Sequence, residues 1–354
     1  MSISQDVTDR LMMSRALQLA RFGSGRVSPN PMVGAVITAP DGRIIGEGWH
    51  RYFGGPHAEV NAVRSVKESD RHLLPHSTIY VTLEPCSHYG KTPPCAQLLT
   101  ECGFRRAVVA IEDPNPQVAG RGLRMLREAG CEVTVGIMAR EATELNRRFL
   151  TVQKLGRPWI QLKWCESADK FIGKFGENGQ PSPCSLSSPL GKVWMHRHRS
   201  MCDAIVIGSG TAITDRPRLT LRSWPGKNPA RVVADRRKRV DLETLFPDGN
   251  AFRIGDHALR TEIERLGREY EIGAVMVEGG STLLQSFLDE NLFDEIRVEH
   301  SPIILNTGVA APEIPASLPS STKTLTDGNT VTTYRNPIFW NAISTRQKEI
   351  TLIS

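Results

Sequence analysis

The sequence predicts two α/β domains, because strand-like and helix-like segments alternate along almost the whole chain. Short runs rich in valine and isoleucine, such as residues 32–38, predict strands, and apolar residues at helical spacing predict helices. The length of 354 residues fits two domains of common size. Residues 154–158 have the sequence Lys-Leu-Gly-Arg-Pro and predict a linker, which places the domains at residues 1–150 and 151–354.

The first domain is predicted to be a three-layer α/β domain with alternating strands and helices. Its strands are expected at residues 32–38, 44–49, 78–83, 107–111 and 132–135. Its helices are expected at residues 10–22, 59–66, 94–101, 123–129 and 141–150, the first of them with Leu11, Ala16, Leu19 and Ala20 on one side. Residues 40–42 are Pro-Asp-Gly, a turn signal, so the first two strands should form a hairpin.

The second domain is also predicted to be α/β. Its strands are expected at residues 159–165, 204–208, 231–234, 274–278 and 295–300, and its helices at residues 190–199, 263–270 and 282–290. Residues 173–189 are rich in glycine, proline and serine and predict a loop. Beyond residue 307 the pattern is weaker and indicates strands only near residues 331–334 and 339–342.

Composition and charge restrict the partners of the chain. No run of about 18 apolar residues occurs, and the first ten residues do not resemble a signal peptide, so a cytoplasmic protein without membrane contact is expected. The net charge is +6, but the basic cluster at residues 236–239 contains no aromatic residue for stacking on bases. A small phosphorylated substrate is therefore favoured over nucleic acid. The seven scattered cysteines favour metal or catalytic use over disulfides.

Two segments of the first domain carry the residues of a zinc site. His57 and Glu59 stand at the start of a predicted helix, and Cys86 and Cys95 each follow a proline. One imidazole and two thiolates suit zinc and leave a fourth position for water, whose pKa bound zinc lowers to about 7. Glu59 is expected to take the proton of that water and pass it to a leaving amine. This combination of His-x-Glu, Pro-Cys and a further cysteine is the signature of zinc deaminases.

Residue types alone do not decide whether the loop between the two cysteines contributes a further zinc ligand. His88 lies inside this loop and is a competing ligand, because imidazole also binds zinc. Eight residues separate Cys86 from Cys95, whereas commoner deaminases have Cys-x-x-Cys. The spacing therefore narrows the family to one with a long insertion.

The first domain contains a distinctive set of segments at residues 29–36, 55–60, 82–88, 92–95 and 113–116. Together they resemble the bifunctional deaminase–reductase family of riboflavin biosynthesis, in which a long insertion separates the cysteines. The resemblance implies a cytidine-deaminase-like fold and hydrolytic deamination of 2,5-diamino-6-ribosylamino-4(3H)-pyrimidinone 5′-phosphate. It also implies that Asn30 contacts the substrate near the metal and that His88 is not a ligand.

The second domain has two glycine-containing turns that follow predicted strands. Residues Gly279 to Thr282 open a helix, where free backbone N–H groups favour phosphate or pyrophosphate. Residues 208–211 form the other turn, which is not a dinucleotide-binding fingerprint because Ile213 occupies the third glycine position. Judged by residue type alone, each turn is equally compatible with a purely structural role.

Further motifs resemble the reductase half of the same family; they lie at residues 157–158, 162–163, 167–169, 203–205, 208–211, 215–217, 219–222 and 277–280. The resemblance implies a dihydrofolate-reductase-like fold that uses NADPH to reduce the ribosyl side chain to a ribityl chain. The implied NADPH contacts are Thr211, Asp215, Gly279, Gly280, Ser281 and Thr282. The implied substrate contacts are Lys163, Arg199, Leu219, Arg222 and Glu278. Arginine suits a 5′-phosphate because it can donate two parallel hydrogen bonds.

Three places depart from the family pattern. Lys170 stands where a glycine is usual, residues 183–187 lack the aromatic expected beside the nicotinamide, and Arg216 replaces the second aspartate of Asp-Asp-Pro. These three changes bear on how NADPH would be positioned in the site more than on whether the reaction can occur. Arg236 follows a predicted strand and is a candidate for binding the 2′-phosphate of NADPH. A homo-oligomer is expected for the assembled protein.

Two alternative hypotheses have different chemistry. The first is a zinc deaminase of bases or nucleosides whose second half serves only in assembly; Lys163, Arg222 and Glu278 argue against it, since such an enzyme does not need them. The second is a degenerate deaminase fold that binds nucleic acid; the intact set of His57, Glu59, Cys86 and Cys95 argues against it.

Overall fold

The computed structural model describes residues 4–89, 93–115, 119–338 and 341–342. The chain divides into two compact units, Met1–Leu155 and Gly156–Ser354. The segment expected to be a linker is short, because a helix extends to Leu155 and a strand begins at Trp159. Among the described helices, none has both the length and the apolar character that crossing a bilayer requires.

The first unit is built on one five-stranded mixed sheet. Its strands are β1 (Gly34–Thr38), β2 (Ile44–Trp49), β3 (Thr78–Val81), β4 (Arg106–Val109) and β5 (Glu132–Val135). They lie in the order β2-β1-β3-β4-β5, with β1 antiparallel to both neighbours and β3, β4 and β5 parallel. The predicted hairpin of the first two strands is therefore confirmed.

Helices cover both faces of this sheet. They are α1 (Gln5–Ala20), α2 (Ala58–Ser65), α3 (Cys95–Glu101), α4 (Arg121–Glu128), α5 (Ala139–Leu145) and α6 (Arg147–Leu155), with 3-10 turns at Arg21–Gly23 and Glu68–His76. On one face, Ala62, Leu99 and Leu126 of α2, α3 and α4 join the apolar core of the sheet. On the other face, Tyr80 of β3 donates a hydrogen bond to Asp9 of α1 over 3.1 Å. The unit thus has three layers, as predicted.

Two details of the first unit differ from the sequence prediction. Leu11, expected on the apolar side of the first helix, is 55% exposed. The helix expected at residues 141–150 is broken at Asn146 into α5 and α6. The Asn146 amide bonds to both backbone groups of Met32, at 2.8 Å and 2.9 Å. A buried side chain that satisfies a distant backbone segment explains why the helix does not continue.

The second unit contains an eight-stranded sheet and a smaller three-stranded one. Their strands are β6 (Trp159–Glu166), β7 (Phe171–Phe175), β8 (Pro181–Ser182), β9 (Ala204–Gly208), β10 (Ala230–Ala234), β11 (Ala251–Ile254), β12 (Ala274–Gly279), β13 (Glu295–His300), β14 (Val309–Ala310), β15 (Ser320–Thr324) and β16 (Thr330–Arg335). The helices are α7 (Pro189–Arg199), α8 (Ser209–Asp215), α9 (Leu242–Leu245), α10 (Leu259–Tyr270) and α11 (Ser281–Asp289).

The large sheet has the order β11-β10-β9-β12-β6-β13-β16-β15, and β14, β7 and β8 form the small sheet. The six strands from β11 to β13 are parallel, and β16 and β15 are antiparallel additions at one end. In open parallel sheets ligands bind at the carboxyl ends of the strands. The predicted cofactor and substrate site of the second unit is therefore expected at the carboxyl ends of β9, β10 and β12.

The structure corrects two expectations in the second unit. Residues 173–189, expected to be a loop, contain the end of β7 and all of β8, which pair as a short antiparallel ribbon. The strand expected at residues 331–334 is present as β16. The prediction of a strand at residues 339–342 is wrong for Asn341 and Ala342, which are helical. Residues 339–340 lie outside the described residues.

Glu166, at the end of β6, is a buried carboxylate with three side-chain donors. Trp164 Nε1 lies 3.0 Å away, His300 Nδ1 2.9 Å and Lys170 Nζ 2.5 Å. Burial alone would raise the pKa of Glu166, but the hydrogen bonds from His300, Lys170 and Trp164 lower it to about 2. Because this value lies below the ordinary 4.5, the ionised carboxylate stabilises the fold above about pH 5 and loses that effect as the pH falls toward 2.

Replacing Glu166 by glutamine is expected to lower the free energy of unfolding by about 3 kcal/mol at pH 7. The difference from the native chain should shrink steadily below pH 4.5, as the native carboxylate becomes protonated. Urea unfolding at a series of pH values measures this difference, and exposed Glu290, replaced by glutamine, is the control. A difference that is the same at pH 7 and pH 3 would contradict the assigned stabilisation.

Candidate metal centre and reductase site

The start of α2 places His57 and Glu59 side by side. His57 immediately precedes the helix with extended backbone, and Glu59 lies in its first turn with 3% exposure. The helix packs closely on β2 because β2 contains glycine: a Cβ on Gly48 would lie 2.3 Å from the backbone nitrogen of Ala62. Close packing of helix on strand therefore fixes the depth of both side chains.

A buried carboxylate holds the segment that carries Cys86. Glu84 accepts hydrogen bonds from the backbone N–H groups of Asp113, Gly120 and Gly122, over 3.0–3.1 Å. Gly122 lies so close that a Cβ there would be 2.0 Å from the Pro85 oxygen. Glu84 was not among the residues that the sequence singled out as functional, because its partners are about 30 to 40 residues away.

His57, Cys86 and Cys95 converge on one point. Their ligand atoms all lie within 4.8 Å of one another. The Nδ1 atom of His57 lies 3.5 Å from the Cys86 sulfur and 3.3 Å from the Cys95 sulfur. Zinc bonds of about 2.3 Å to sulfur and 2.1 Å to nitrogen place these atoms about 3.6 Å apart on a tetrahedron. The donor set and its spacing therefore fit zinc.

His88 does not belong to this group. It is exposed, and the only metal-competent group found among the described residues contains His57, Cys86 and Cys95. Cys95 begins α3, and its backbone N–H points at the Cys86 sulfur over 3.3 Å. The local structure thus favours negative charge on Cys86, which is the state that binds a metal.

The charges of the cluster are strongly coupled. Hydrogen bonds from Cys95 and His57 lower the pKa of Cys86 to about 4, whereas the pKa of Cys95 is raised because its thiol bonds to Cys86 and is buried. The hydrogen bond to Cys86 raises the pKa of His57 to about 9. Burial raises the pKa of Glu59 to about 7. The charge of Glu59 acts on both His57 and Cys95, so its carboxylate lies close to the cluster.

Asn30 reaches the cluster through a histidine that the sequence reasoning missed. His50 donates from Nδ1 to the Pro56 carbonyl over 3.1 Å, so its Nε2 accepts from the Asn30 amide over 3.2 Å. The ring of His50 meets the ring of His57 edge-on, with centroids 5.6 Å apart. The position of His50, one residue past β2 and shortly before the Gly-Gly-Pro turn to His57, was the available signal.

In the second unit, two of the predicted substrate contacts bind each other. Arg199 of α7 donates to both carboxylate oxygens of Glu278 on β12, at 2.6 Å and 2.5 Å. The two side chains are 7% and 8% exposed. Burial alone would raise the pKa of Glu278, but the charge and hydrogen bonds of Arg199 lower it. Arg199 and Glu278 therefore form a buried ion pair in which each side chain neutralises the charge of the other.

Two other predicted substrate contacts, Lys163 and Arg222, lie near His196, which is buried on the same helix. The charges of Arg199, Arg222, Glu278 and Lys163 all act on its imidazole. Lys163 is on β6, next to the β12 strand that carries Glu278. Leu219 is buried with a left-handed φ of 55°. Arg199 and Glu278 compensate each other's charge within this group.

Most of the predicted cofactor residues lie at the carboxyl ends of β9 and β12. Thr211 lies in the first turn of α8, and Asp215 ends that helix. A Cβ on Gly279 would be 3.0 Å from the Thr211 methyl group, and one on Gly280, at φ +78°, would be 3.3 Å from its hydroxyl. The following residues, Ser281 and Thr282, begin α11. The two glycines thus leave a cradle that side chains would fill, which fits the close approach of a phosphate.

Another buried carboxylate holds the end of the segment at residues 183–187, which departs from the family pattern, together with the following Ser188. Glu299 of β13 accepts from the Ser187 hydroxyl over 2.8 Å and from the Ser188 backbone over 2.9 Å. Asn329 donates to the same carboxylate over 2.7 Å. The altered loop is therefore ordered by contacts of its own.

Comparison with known proteins covers both units. A family model described as the cytidine and deoxycytidylate deaminase zinc-binding region matches residues 6–111. A model described as the RibD C-terminal domain matches residues 158–332. The two matches confirm the predicted fold class. The match of the second unit argues against the alternative of a base deaminase whose second half serves only in assembly.

Relatives of known name match nearly the whole chain. The riboflavin biosynthesis protein RibD of Escherichia coli is 37% identical over 84% of this chain and 89% of its own, and that of Aquifex aeolicus is 37% identical over 85% and 89%. The RibD structure of Acinetobacter baumannii has a TM-score of 0.83 at 31% identity, and covers 94% of this chain and 99% of its own.

A crystal structure from Thermotoga maritima has a TM-score of 0.82 at 33% identity and covers 94% of this chain and 99% of its own. It is described as a diaminohydroxyphosphoribosylaminopyrimidine deaminase and 5-amino-6-(5-phosphoribosylamino)uracil reductase. Its two activities correspond to the two sites that the sequence predicted here. The chain belongs to the RibD family of bifunctional deaminases and reductases of riboflavin biosynthesis.

Proposed function

We propose that the first unit deaminates 2,5-diamino-6-ribosylamino-4(3H)-pyrimidinone 5′-phosphate with His57, Cys86 and Cys95 as zinc ligands. The observation that carries this proposal is the convergence of one imidazole and two thiols at tetrahedral spacing, beside a buried carboxylate. Zinc, when bound, would lower the pKa of water enough to make hydroxide available as the nucleophile near neutral pH. The fourth position needed for water follows from the count of three protein ligands.

In this proposal Glu59 moves the protons of the deamination. Its carboxylate borders the cluster without belonging to the ligand group, so it can accept a proton from the attacking water. One proton of the water goes to the ring nitrogen, and the proton of the resulting hydroxyl is passed to the amino group, which leaves as ammonia while a carbonyl forms on the ring. Asn30 donates its amide N–H to His50, and its side-chain oxygen, for which no donor is found among the described residues, would accept a hydrogen bond from the substrate.

We propose that the second unit reduces the deaminated product. NADPH, when bound, supplies the hydride for C1′ of the ribosyl group, and one proton goes to the ring oxygen that is released. Thr211, Asp215 and the segment from Gly279 to Thr282 would hold the cofactor. Lys163 and Arg222 would bind the 5′-phosphate of the substrate, because both oxygens of Glu278 already accept hydrogen bonds from Arg199.

The complete protein tests both steps in one vessel. Zinc-loaded chain supplied with the diaminopyrimidinone phosphate should release ammonia, and the added NADPH should then be oxidised in proportion to the ammonia. Ammonia release without any NADPH oxidation would remove the reductase assignment. NADPH oxidation only when the deaminated compound is supplied directly would remove the deaminase assignment.

Arg236 is proposed to select NADPH over NADH. It follows β10, two strands from β12, with an exposed side chain that has no ion pair with any described carboxylate. Its neighbour Arg239 reaches Ser209 at the end of β9 over 2.6 Å, so positive charge lines this edge of the sheet. A 2′-phosphate placed there would gain charge-assisted hydrogen bonds.

Replacing Arg236 by alanine is expected to weaken NADPH binding about tenfold, the effect of one lost charge-assisted contact. The Kd of NADH should not change, because NADH lacks the phosphate. Quenching of tryptophan fluorescence by each nucleotide measures both constants. Exposed Arg268 on α10, replaced by alanine, is the matched control; an equal loss of NADPH and NADH affinity would count against this role.

We also propose a homo-oligomer and a cytoplasmic location. The exposed side chains of Ile303 and Ile304, at 46% and 63%, supply apolar surface for self-association. The seven cysteines are free thiols, and the two ligand thiols must stay reduced to bind zinc, which suits a reducing compartment. Sedimentation of the native chain and of Ile304→Asp tests the assembly.

A further inference from the structure

The backbone of residues 218–222 is held in place by side chains from elsewhere in the second unit. Arg231 Nε donates to the Arg218 carbonyl over 3.1 Å, and Asn228 Oδ1 accepts from the Leu221 N–H over 2.9 Å. Leu219, inside this segment, has a left-handed φ of 55°. A non-glycine residue in that region persists only where its surroundings enforce it.

Helix α7 supplies the other two contacts to this segment. His196 Nδ1 accepts the backbone N–H of Arg222 over 3.4 Å. Arg199 donates to the Thr220 carbonyl over 3.3 Å, in addition to its bonds with Glu278. One donor, Arg199, and one acceptor, His196, therefore fix the backbone on both sides of Leu221. Arg222 itself is exposed, and its guanidinium has no ion pair with a carboxylate among the described residues.

The state of the His196 ring follows from these contacts. Since Nδ1 accepts a backbone N–H, the neutral ring carries its proton on Nε2. The side chain is 2% exposed, and the charges around it are those of Lys163, Arg199, Arg222 and Glu278. Burial first, and then the nearby arginines, lower the pKa of His196. The neutral form that can accept from Arg222 is therefore the stable one at pH 7.

We propose that His196 is a positioning residue of the reductase, which fixes the backbone of Arg222 so that its guanidinium is presented to the 5′-phosphate of the substrate. This inference rests on the proposed reductase function. His196 need not touch the substrate: its acceptor atom is already used by the protein. Its effect should therefore be limited to the affinity for a phosphorylated substrate, because Arg222 is the group that it orients.

The test compares His196→Leu with His196→Asn in the full-length, zinc-loaded chain. Leucine removes the acceptor, whereas the side-chain oxygen of asparagine can take the place of Nδ1. His196→Leu is expected to raise the KM for the deaminated 5′-phosphate about tenfold, with kcat within about twofold and NADPH affinity unchanged. His196→Asn should restore most of the native KM.

A substrate without its 5′-phosphate separates positioning from general damage. The native chain and His196→Leu should have the same KM for this dephosphorylated compound, because Arg222 has no phosphate to bind. A native Kd for NADPH in the same preparation reports that the second unit is folded. Equal increases of KM for both substrates, or a kcat loss without a KM change, would overturn the proposal.

Asn228 provides a second variant in case His196→Leu does not fold. Its side chain is exposed and accepts only the Leu221 N–H, so Asn228→Ala should leave the core intact while loosening the same segment. We expect a smaller rise in KM, about threefold, for the phosphorylated substrate alone. Asn228→Asp keeps the acceptor and should bind the substrate as the native chain does. Absence of NADPH oxidation by the native chain would instead remove the proposed function itself.

Discussion

Replacing Glu59 by glutamine is expected to lower the rate of deamination by about a thousandfold, within the range for losing a positioned general acid–base group. Glutamine has the size of glutamate and fits the same buried position, but it cannot accept a proton from water. The three ligands His57, Cys86 and Cys95 are unchanged, so the zinc content should stay near one ion per chain. Ammonia release and metal analysis measure the two quantities on the same sample.

The second unit serves as an internal control for this variant. Glu59→Gln should oxidise NADPH at the native rate when the deaminated compound is supplied, since its two activities reside in separate compact units. Glu68→Gln changes a carboxylate that is 89% exposed and should behave as the native chain in both assays. Substantial ammonia release by Glu59→Gln would sink the assigned proton transfer, whereas loss of zinc would mean that Glu59 helps to hold the metal.

Cys86→Ser distinguishes a ligand from a proton carrier. Serine is a poor zinc ligand at neutral pH, so this variant should lose the metal and the deaminase activity together. Glu59→Gln should lose only the activity. The contrast between the two variants identifies which side chains bind and which one transfers protons.

The metal centre could be predicted from the sequence because its chemistry is local. His57 and Glu59 are two residues apart, and the strand before Cys86 and the helix after Cys95 are both evident from the pattern. Ligand types and short spacings survive any error of one or two residues in the boundaries of the elements. The same locality made the glycine turn at Gly279 recognisable.

The residues that the sequence did not reveal act through distant partners. His50 is 20 residues from Asn30, and Glu84 bonds to backbone groups as far as Gly122. Asn146 ends a helix because it bonds to Met32, 114 residues away in the chain. No periodicity or spacing carries such information, since these roles depend on how the sheet brings separate segments together.

The ion pair between two of the predicted site residues could not be predicted from the sequence either. Arg199 and Glu278 were both expected to face the substrate, but they are 79 residues apart in sequence and bind each other in the structure. A motif tells which charges are near a site and does not tell which of them are already neutralised. The distinction matters, because Arg199 is already paired with Glu278, whereas Arg222 is exposed and has no ion pair with a carboxylate among the described residues.

The Arg199–Glu278 pair gives the second large prediction. Replacing Arg199 by alanine leaves Glu278 buried without its partner, which is expected to lower the free energy of unfolding by about 3–5 kcal/mol. Reductase activity should fall at least about 100-fold, because Arg199 also holds the Thr220 carbonyl and misplacement of binding groups reduces rates steeply. Urea unfolding followed by tryptophan fluorescence reports mainly on the second unit, which contains five of the six tryptophans.

A double variant separates stability from function. Combining Arg199→Met with Glu278→Leu removes both buried charges and replaces them by apolar groups, which should return the unfolding free energy to near its native value. Activity should not return, because the side chains that organise the site are absent. Exposed Arg260→Ala is the control for loss of a positive charge. A stable double variant that reduced substrate at the native rate would place the pair outside the reductase site, since a salt bridge that serves only the fold can be exchanged for apolar packing without loss of catalysis.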